Sequence, residues 1–212
     1  MIAVVGNKKQ EISKIELNEL IKNFEKVILD MGTGDGRFIY KNALKSPTNL
    51  YIGLDPAEKQ LEIYSKEANK KRLKNSLFVV GSIENIPNEL SFIDKVYVNL
   101  PWGTLLKKMV KVESQVMENL HNLLKNDGEM EVIFGYVPEL EPSETERLEL
   151  PKIEEASDIA QIFSSFKEHF SIVEMRKLSK KDLGNLETTW AKKLKFGRDR
   201  NIYKIILEKQ GE

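Results

Sequence analysis

An α/β fold with a mostly parallel sheet is predicted by three features of the sequence. Seven strand-like apolar runs recur along the chain, helical stretches separate most of them, and the first runs straight into a glycine-rich turn. Strands that alternate with helices return in one direction and cover both faces of the sheet with helices. The runs are KVILD (26–30), LYIGLD (50–55), LFVV (77–80), KVYVNL (95–100), EMEVIFGYV (129–137), FSIVEM (170–175) and NIYKIILEK (201–209). The final run alternates, so it is expected to sit half exposed and to pair antiparallel with its predecessor.

Ahead of the first run, IAVV and EI flank Gly6-Asn7. That dipeptide suits a tight reversing turn, so residues 1–12 read as an N-terminal β-hairpin appended to the seven-stranded sheet. Ser13 and Glu16 match a capping box, and Ile15, Leu17, Leu20, Ile21 and Phe24 place apolar side chains mostly along one helical face. A helix therefore leads into KVILD. Residues 138–156 differ in composition, with Pro138, Pro142 and Pro151 among seven glutamates. They read either as a solvated acidic connection or as a helical insertion that shapes a substrate groove. No repeat and no domain boundary is visible, which makes residues 1–212 a single domain with 138–156 as its insertion or linker.

The 33 basic and 33 acidic residues cancel, so a nucleic-acid site would have to arise from local clustering. The absence of cysteine removes disulfides, thiolate chemistry and zinc-thiolate sites, and fits a reducing cytosol. His121 and His169 stand apart without metal-ligand spacing and read as solvated helix positions, so no metal is expected. No apolar run approaches the roughly 20 residues needed to cross a bilayer, and no leader pattern opens the chain. A soluble, cytoplasmic protein that does not enter a membrane is expected.

Chemistry begins at Gly32-Thr33-Gly34-Asp35-Gly36. Glycine turns after a first strand commonly hold phosphates. Here the spacing departs from the dinucleotide fingerprint, and Asp30 and Asp35 would repel a pyrophosphate. A cationic or hydroxyl-bearing ligand fits better, and S-adenosylmethionine offers a sulfonium, an ammonium and ribose hydroxyls without phosphate. Asp55, followed by Pro56, ends the second strand, where an acid can accept the ribose hydroxyls. Asp30, Gly32, Gly34, Asp55 and Pro56 are the first cofactor-binding candidates. Ser82, Ile83 and Glu84, after the third strand, are expected near the adenine moiety. This order of acid, loop and acid resembles the Rossmann-like class I S-adenosylmethionine-dependent methyltransferases.

In a doubly wound sheet the ligand crevice lies outside the carboxyl ends of the strands, so Asn99 to Thr104 should border the cofactor. Pro101 stiffens this loop and Trp102 presents a wide π face. Asn99-Leu100-Pro101-Trp102 looks like a variant of the Asn-Pro-Pro-aromatic tetrad of amino-group methyltransferases, with Leu100 in place of the first proline. Trp190 is followed by Lys192, Lys193, Lys195, Arg198 and Arg200. An aromatic among cations suits stacking on a base while neighbours hold phosphates, although a charge run alone is equally a solvated helix face. Lys66, Lys70 and Lys71, with Arg72 and Lys74, would extend the patch.

DMGTGDGR, LDP, PWGTLL and WAKKLKFGRDR, together with the hairpin, resemble the aminoglycoside-resistance 16S rRNA (adenine-N1)-methyltransferases, the Kam/Npm family, over nearly the whole chain. The resemblance implies transfer of a methyl group from S-adenosylmethionine to a decoding-site adenine. It also implies the assembled 30S ribosomal subunit as substrate, and the enzyme is expected to be a monomer. By motif position, Asp30, Gly32, Asp55, Glu84 and Thr104 would line the cofactor pocket, with Thr188 close by. Trp102 and Trp190, with Pro101, would clamp the flipped adenine, and Lys193, Arg198 and Arg200 would hold rRNA backbone. Glu67 interrupts the match to the family's basic helix near Lys66 and Lys70. Two rival readings remain at this stage: methylation of an exocyclic amine of a nucleic acid, and a non-catalytic RNA-binding module.

Overall fold

The computed structural model describes residues 1–198 and 200–211; Asp199, which falls within the WAKKLKFGRDR motif, and Glu212 lie outside the described residues. The hairpin strands are β1 (Ile2–Val5) and β2 (Lys8–Glu11). Helix α1 (Lys14–Ile21) follows, closed at its start by the reciprocal Ser13–Glu16 capping box. The seven runs become β3 (Lys26–Met31), β4 (Asn49–Asp55), β5 (Ser76–Val80), β6 (Ile93–Asn99), β7 (Leu124–Phe134), β8 (Phe170–Lys177) and β9 (Tyr203–Lys209). Between them lie α2 (Arg37–Lys45), α3 (Glu58–Lys70), α4 (Gly103–Val110), α5 (Ser114–Leu123), α6 (Pro142–Leu148), α7 (Ala156–Ser164), α8 (Lys180–Asn185) and α9 (Thr189–Lys195).

The strand order is β2-β1-β5-β4-β3-β6-β7-β9-β8. Neighbours from β5 across to β7 are parallel, whereas β9 runs antiparallel to both β7 and β8. The predicted seven-stranded core is thus present, and the hairpin extends it: Ala3 pairs with Val79, so that one nine-stranded sheet results among the described residues. Buried Ser65 on α3 secures the junction, accepting from the Gly6 N–H at 2.8 Å and donating to the Val4 carbonyl at 2.6 Å.

Side-chain alternation along β3 divides the core. Val27, Leu29 and Met31 belong to one apolar cluster, and Ile28 belongs to another with Phe38, Ile39 and Leu61 from α2 and α3. The acidic segment 138–156 takes the helical form through α6, and Leu148, Leu150 and Ile153 are buried in the larger cluster. Its glutamates had masked an apolar face. The two histidines, expected to stand apart, lie with ring centroids 5.4 Å from each other, because the end of α5 meets the start of β8. Among the described residues no helix is long and apolar enough to cross a membrane.

Strand order reverses between β3 and β6: β4 and β5 extend to one side of β3, and the chain returns to place β6 on the other. A ligand crevice is expected outside the carboxyl ends of strands that flank such a point. Asp30, Asp55 and Asn99 all lie at those ends.

Candidate active site

The turn after β3 needs backbone that only glycine adopts readily. Gly32 has φ +73°, and a Cβ there would meet Leu105 Cδ2 at 2.4 Å; Gly36 has φ +78°, and its Cβ would meet the Phe78 ring at 2.4 Å. The loop can therefore pass close to both β5 and α4 only without side chains at these positions. Asp55 holds it there. Its Oδ2 accepts from the Gly34 N–H and its Oδ1 from the Ala57 N–H, each at 2.8 Å, which ties the glycine turn to the start of α3.

Asp30 lies deeper, 2% exposed, and its Oδ1 accepts from Asn99 Nδ2 at 3.0 Å. Burial pushes its carboxyl up to about 7; the Asn99 amide opposes the rise, and the Asp55 and Asp35 carboxylates add to it. A carboxyl poised near neutrality in a cleft favours a cationic ligand, whose charge would replace the lost hydration. The oxygen of the Asn99 amide, Oδ1, is buried with no hydrogen-bond partner. A buried acceptor left without a donor costs about 1–3 kcal/mol, so a ligand N–H or O–H would be welcome there.

These groups line a cleft of about 650 Å³, within the ordinary range for small-molecule sites. One wall is Asp30, Gly32, Gly34, Asp55 and Pro56, the next is Ser82, Ile83 and Glu84, and the third is Asn99, Leu100, Trp102 and Thr104. Thr188, Trp190 and Lys193 come from the β8–β9 connection. The structure therefore brings together every cofactor candidate named from the sequence. Pro101 is buried and supplies no lining atom; it shapes the loop from behind. Sequence reasoning missed Phe38, Gln60 and Thr189. The Thr189 hydroxyl donates to Asp35 Oδ2 at 2.7 Å, pinning the first turn of α9 to the glycine loop across 154 residues of sequence, so no local signal could have revealed it. Glu187 adds an ion pair to Lys45 at 3.2 Å.

At the mouth stand the two tryptophans. Trp102, at the start of α4, is 41% exposed, and Trp190, in the first turn of α9, is 47% exposed. Their ring centroids are 5.7 Å apart and their planes 23° from parallel. Lys193 Nζ lies 5.2 Å from the Trp190 ring centroid. Leu100, between Asn99 and Pro101, has φ +52°, and its N–H donates to the Ile133 carbonyl at 2.8 Å. Its side chain packs with Leu183 and Ala191 beneath α9, so the loop that carries Trp102 and the helix that carries Trp190 share one apolar cluster.

The model of the NpmA family, described as 16S rRNA (adenine(1408)-N(1))-methyltransferase, matches residues 2–209. The chain belongs to this family. It is 33% identical over 212 residues to a 16S rRNA (adenine(1408)-N(1))-methyltransferase of Escherichia coli, covering 97% of each chain. Against the same-named protein of Streptoalloteichus tenebrarius it is 27% identical, covering 94% of each. Among solved structures, the 30S ribosomal A1408 methyltransferase UncKam, from an uncultured bacterium, is 36% identical with a TM-score of 0.78, covering 99% of this chain and 100% of that one. The 16S rRNA methyltransferase KamB superposes with a TM-score of 0.89 at 27% identity over the whole of both chains.

For a member of the NpmA family, the cations expected from the sequence to meet rRNA fall into three groups. Lys193 borders the cleft and Arg198 is exposed just beyond α9. Arg200 is different: it is ion-paired with Glu141, its side chain only 20% exposed, so the free surface cation read from the sequence is engaged within the protein. Lys66 and Lys70 are on α3, paired with Glu62 and Glu67, and Lys71 caps that helix. Since α3 descends from the cleft, a rise of 1.5 Å per residue carries Lys70 roughly 20 Å from Pro56.

Proposed function

We propose that this enzyme methylates ring N1 of a decoding-site adenine in 16S rRNA within the assembled 30S subunit, using S-adenosylmethionine, and thereby confers aminoglycoside resistance. The observation that carries the reading is the pair of half-exposed, near-parallel indoles at the mouth of a cleft floored by Asp30 and Asp55. When bound, S-adenosylmethionine supplies an electrophilic methyl on a sulfonium. The floor suits it: Asp30 and Asn99 Oδ1 would receive its ammonium end, and Asp55 retains lone pairs for ribose hydroxyls beyond the two backbone N–H groups that it already accepts.

Trp102 and Trp190 would hold the adenine face to face. Two contacts of roughly 3.5 Å require ring planes about 7 Å apart. The centroids stand at 5.7 Å, so the indoles must part by more than about 1 Å to admit a base. Base-aromatic stacking returns about 1–3 kcal/mol per base, which offsets much of the few kcal/mol that extrusion costs. Adenine N1 carries an in-plane lone pair and no proton at neutral pH, so the residues need only align it and no general base is required. Alignment alone is worth roughly 7–11 kcal/mol in favourable cases.

The backbone at Leu100 favours this reading over exocyclic-amine chemistry. Proline is locked near φ −65°, so the Asn-Pro-Pro-aromatic tetrad cannot be built on a residue at φ +52° whose N–H is hydrogen-bonded. The proposal places the enzyme in the cytoplasm as a monomer. Charged side chains on the outer strands β2 and β8 support the latter, since lysines and arginines on a sheet edge discourage pairing with another copy. The test is methylation of purified 30S with labelled cofactor, followed by mapping. A block to reverse transcription at one adenine is expected, because N1 methylation abolishes Watson–Crick pairing; label on an exocyclic amine, or none, would overturn the proposal.

A further inference from the structure

Phe196 is 85% exposed, more than any other large apolar side chain among the described residues. It ends α9: its N–H closes the last turn on Lys193 and Leu194 carbonyls, so the ring is carried on ordered backbone. Burying a phenylalanine ring is worth about 1.5–3 kcal/mol, and this fold forgoes nearly all of it. The surrounding cations are not matched by carboxylates within ion-pair distance. Lys192, Lys193, Lys195 and Arg198 make no ion pair with a described residue, and Lys193 Nζ faces the Trp190 ring. Lys195 Nζ lies 5.5 Å from the Phe196 ring centroid. A flat apolar ring set among cations that form no ion pair matches a partner that offers anionic groups and π faces together, which is the chemistry of an unpaired stretch of RNA.

We infer that Phe196 is a second stacking contact for rRNA: its ring lies against a base near the target nucleotide while Lys195 and Arg198 meet the adjoining phosphates. This inference rests on the proposed 30S substrate. Six residues of helical rise separate Trp190 from Phe196 by about 9 Å along α9, a span of about two or three nucleotides at 3.4 Å per stacked base. The contact would anchor the flanking strand while the target adenine leaves its stack, so Phe196 positions the substrate and takes no part in methyl transfer itself.

The experiment compares wild type, Phe196→Ala, Phe196→Leu and Phe196→Tyr in three measurements: thermal melting, calorimetric S-adenosylmethionine binding, and steady-state methylation of purified 30S. Melting and cofactor affinity should stay at wild-type values in all three variants, because the ring touches neither core nor cleft. Phe196→Ala and Phe196→Leu should lower kcat/KM for 30S by roughly 5- to 150-fold, the equivalent of about 1–3 kcal/mol for one stacked base. Phe196→Tyr, which keeps a π face, should restore most of the loss. Wild-type turnover with Phe196→Ala would overturn the inference, as would full activity with Phe196→Leu, which would show an apolar contact without stacking. Binding of the wild type to anionic vesicles that Phe196→Ala abolishes, with 30S kinetics unchanged, would assign the ring to a lipid surface and also overturn it. Wild-type enzyme that leaves 30S unmethylated would fail the substrate reading itself, a result separable from any effect of the variants.

Discussion

Raising the pH from 6 to 7.5 should strengthen cofactor binding through Asp30. Its carboxyl is 2% exposed and burial lifts its pKa from 3.8 to about 7. Only the ionised form attracts a cation, and for a group titrating near 7 that form grows from about 9% at pH 6 to about 76% at pH 7.5. Affinity for S-adenosylmethionine should therefore rise about eightfold over this interval, and binding at pH 7 should release about half a proton. Calorimetry in two buffers of different ionisation enthalpy measures both, and Asp30→Asn should weaken binding and remove the slope and the proton. Without ligand the same carboxyl acts on stability. The folded state holds the proton more tightly than the unfolded chain, so stability falls as pH rises from about 4 to about 7 and levels off above. The limit is on the order of 4 kcal/mol. Asp30→Asn should accordingly melt several degrees above wild type at pH 8 and close to it at pH 4. A flat affinity between pH 6 and 7.5, or an identical slope in Asp30→Asn, would refute the assignment of Asp30 to the cationic end of the ligand.

Trp102→Ala and Trp190→Ala should each keep S-adenosylmethionine affinity within a few-fold and lower kcat/KM on 30S by roughly 5- to 150-fold; turnover at wild-type rates would remove the clamp. Leu100→Pro should lose activity and several kcal/mol of stability, since the ring cannot reach φ +52° and the bond to Ile133 disappears; a wild-type melting curve would show that the backbone there is not as described. Arg198→Ala should flatten the salt dependence of 30S binding by about one unit of log–log slope with no change in melting. Arg200→Ala should instead lower the melting temperature, because Glu141 loses its ion-pair partner; the opposite pattern would exchange the roles of the two arginines.

Much of this molecule was legible in its residues. The runs of β3 and β4 are apolar over most of their length because a sheet covered on both faces demands continuous burial, β9 alternates near the sheet edge, and the Ser13–Glu16 box is a local rule satisfied locally. The glycine loop, both acids and both tryptophans were recognisable because their backbone and chemical requirements are written in adjacent positions. Other features depend on which distant segments the fold brings together. The hairpin joins the sheet through Ala3 and Val79, and Asp55 spends both oxygens on backbone N–H groups. Arg200 turns to Glu141, Thr189 reaches Asp35, and His121 meets His169. Periodicity reports which face of an element is buried, and motif spacing reports what a loop can hold. The choice of partner for a charge or hydroxyl is made by the tertiary packing, since Coulomb and hydrogen-bond energies depend on distances in space that separation along the chain does not encode. By itself the sequence determined the fold class, the cofactor chemistry and the two aromatic walls; the tertiary structure alone decided that those walls close to 5.7 Å and that Phe196 stands uncovered beside them.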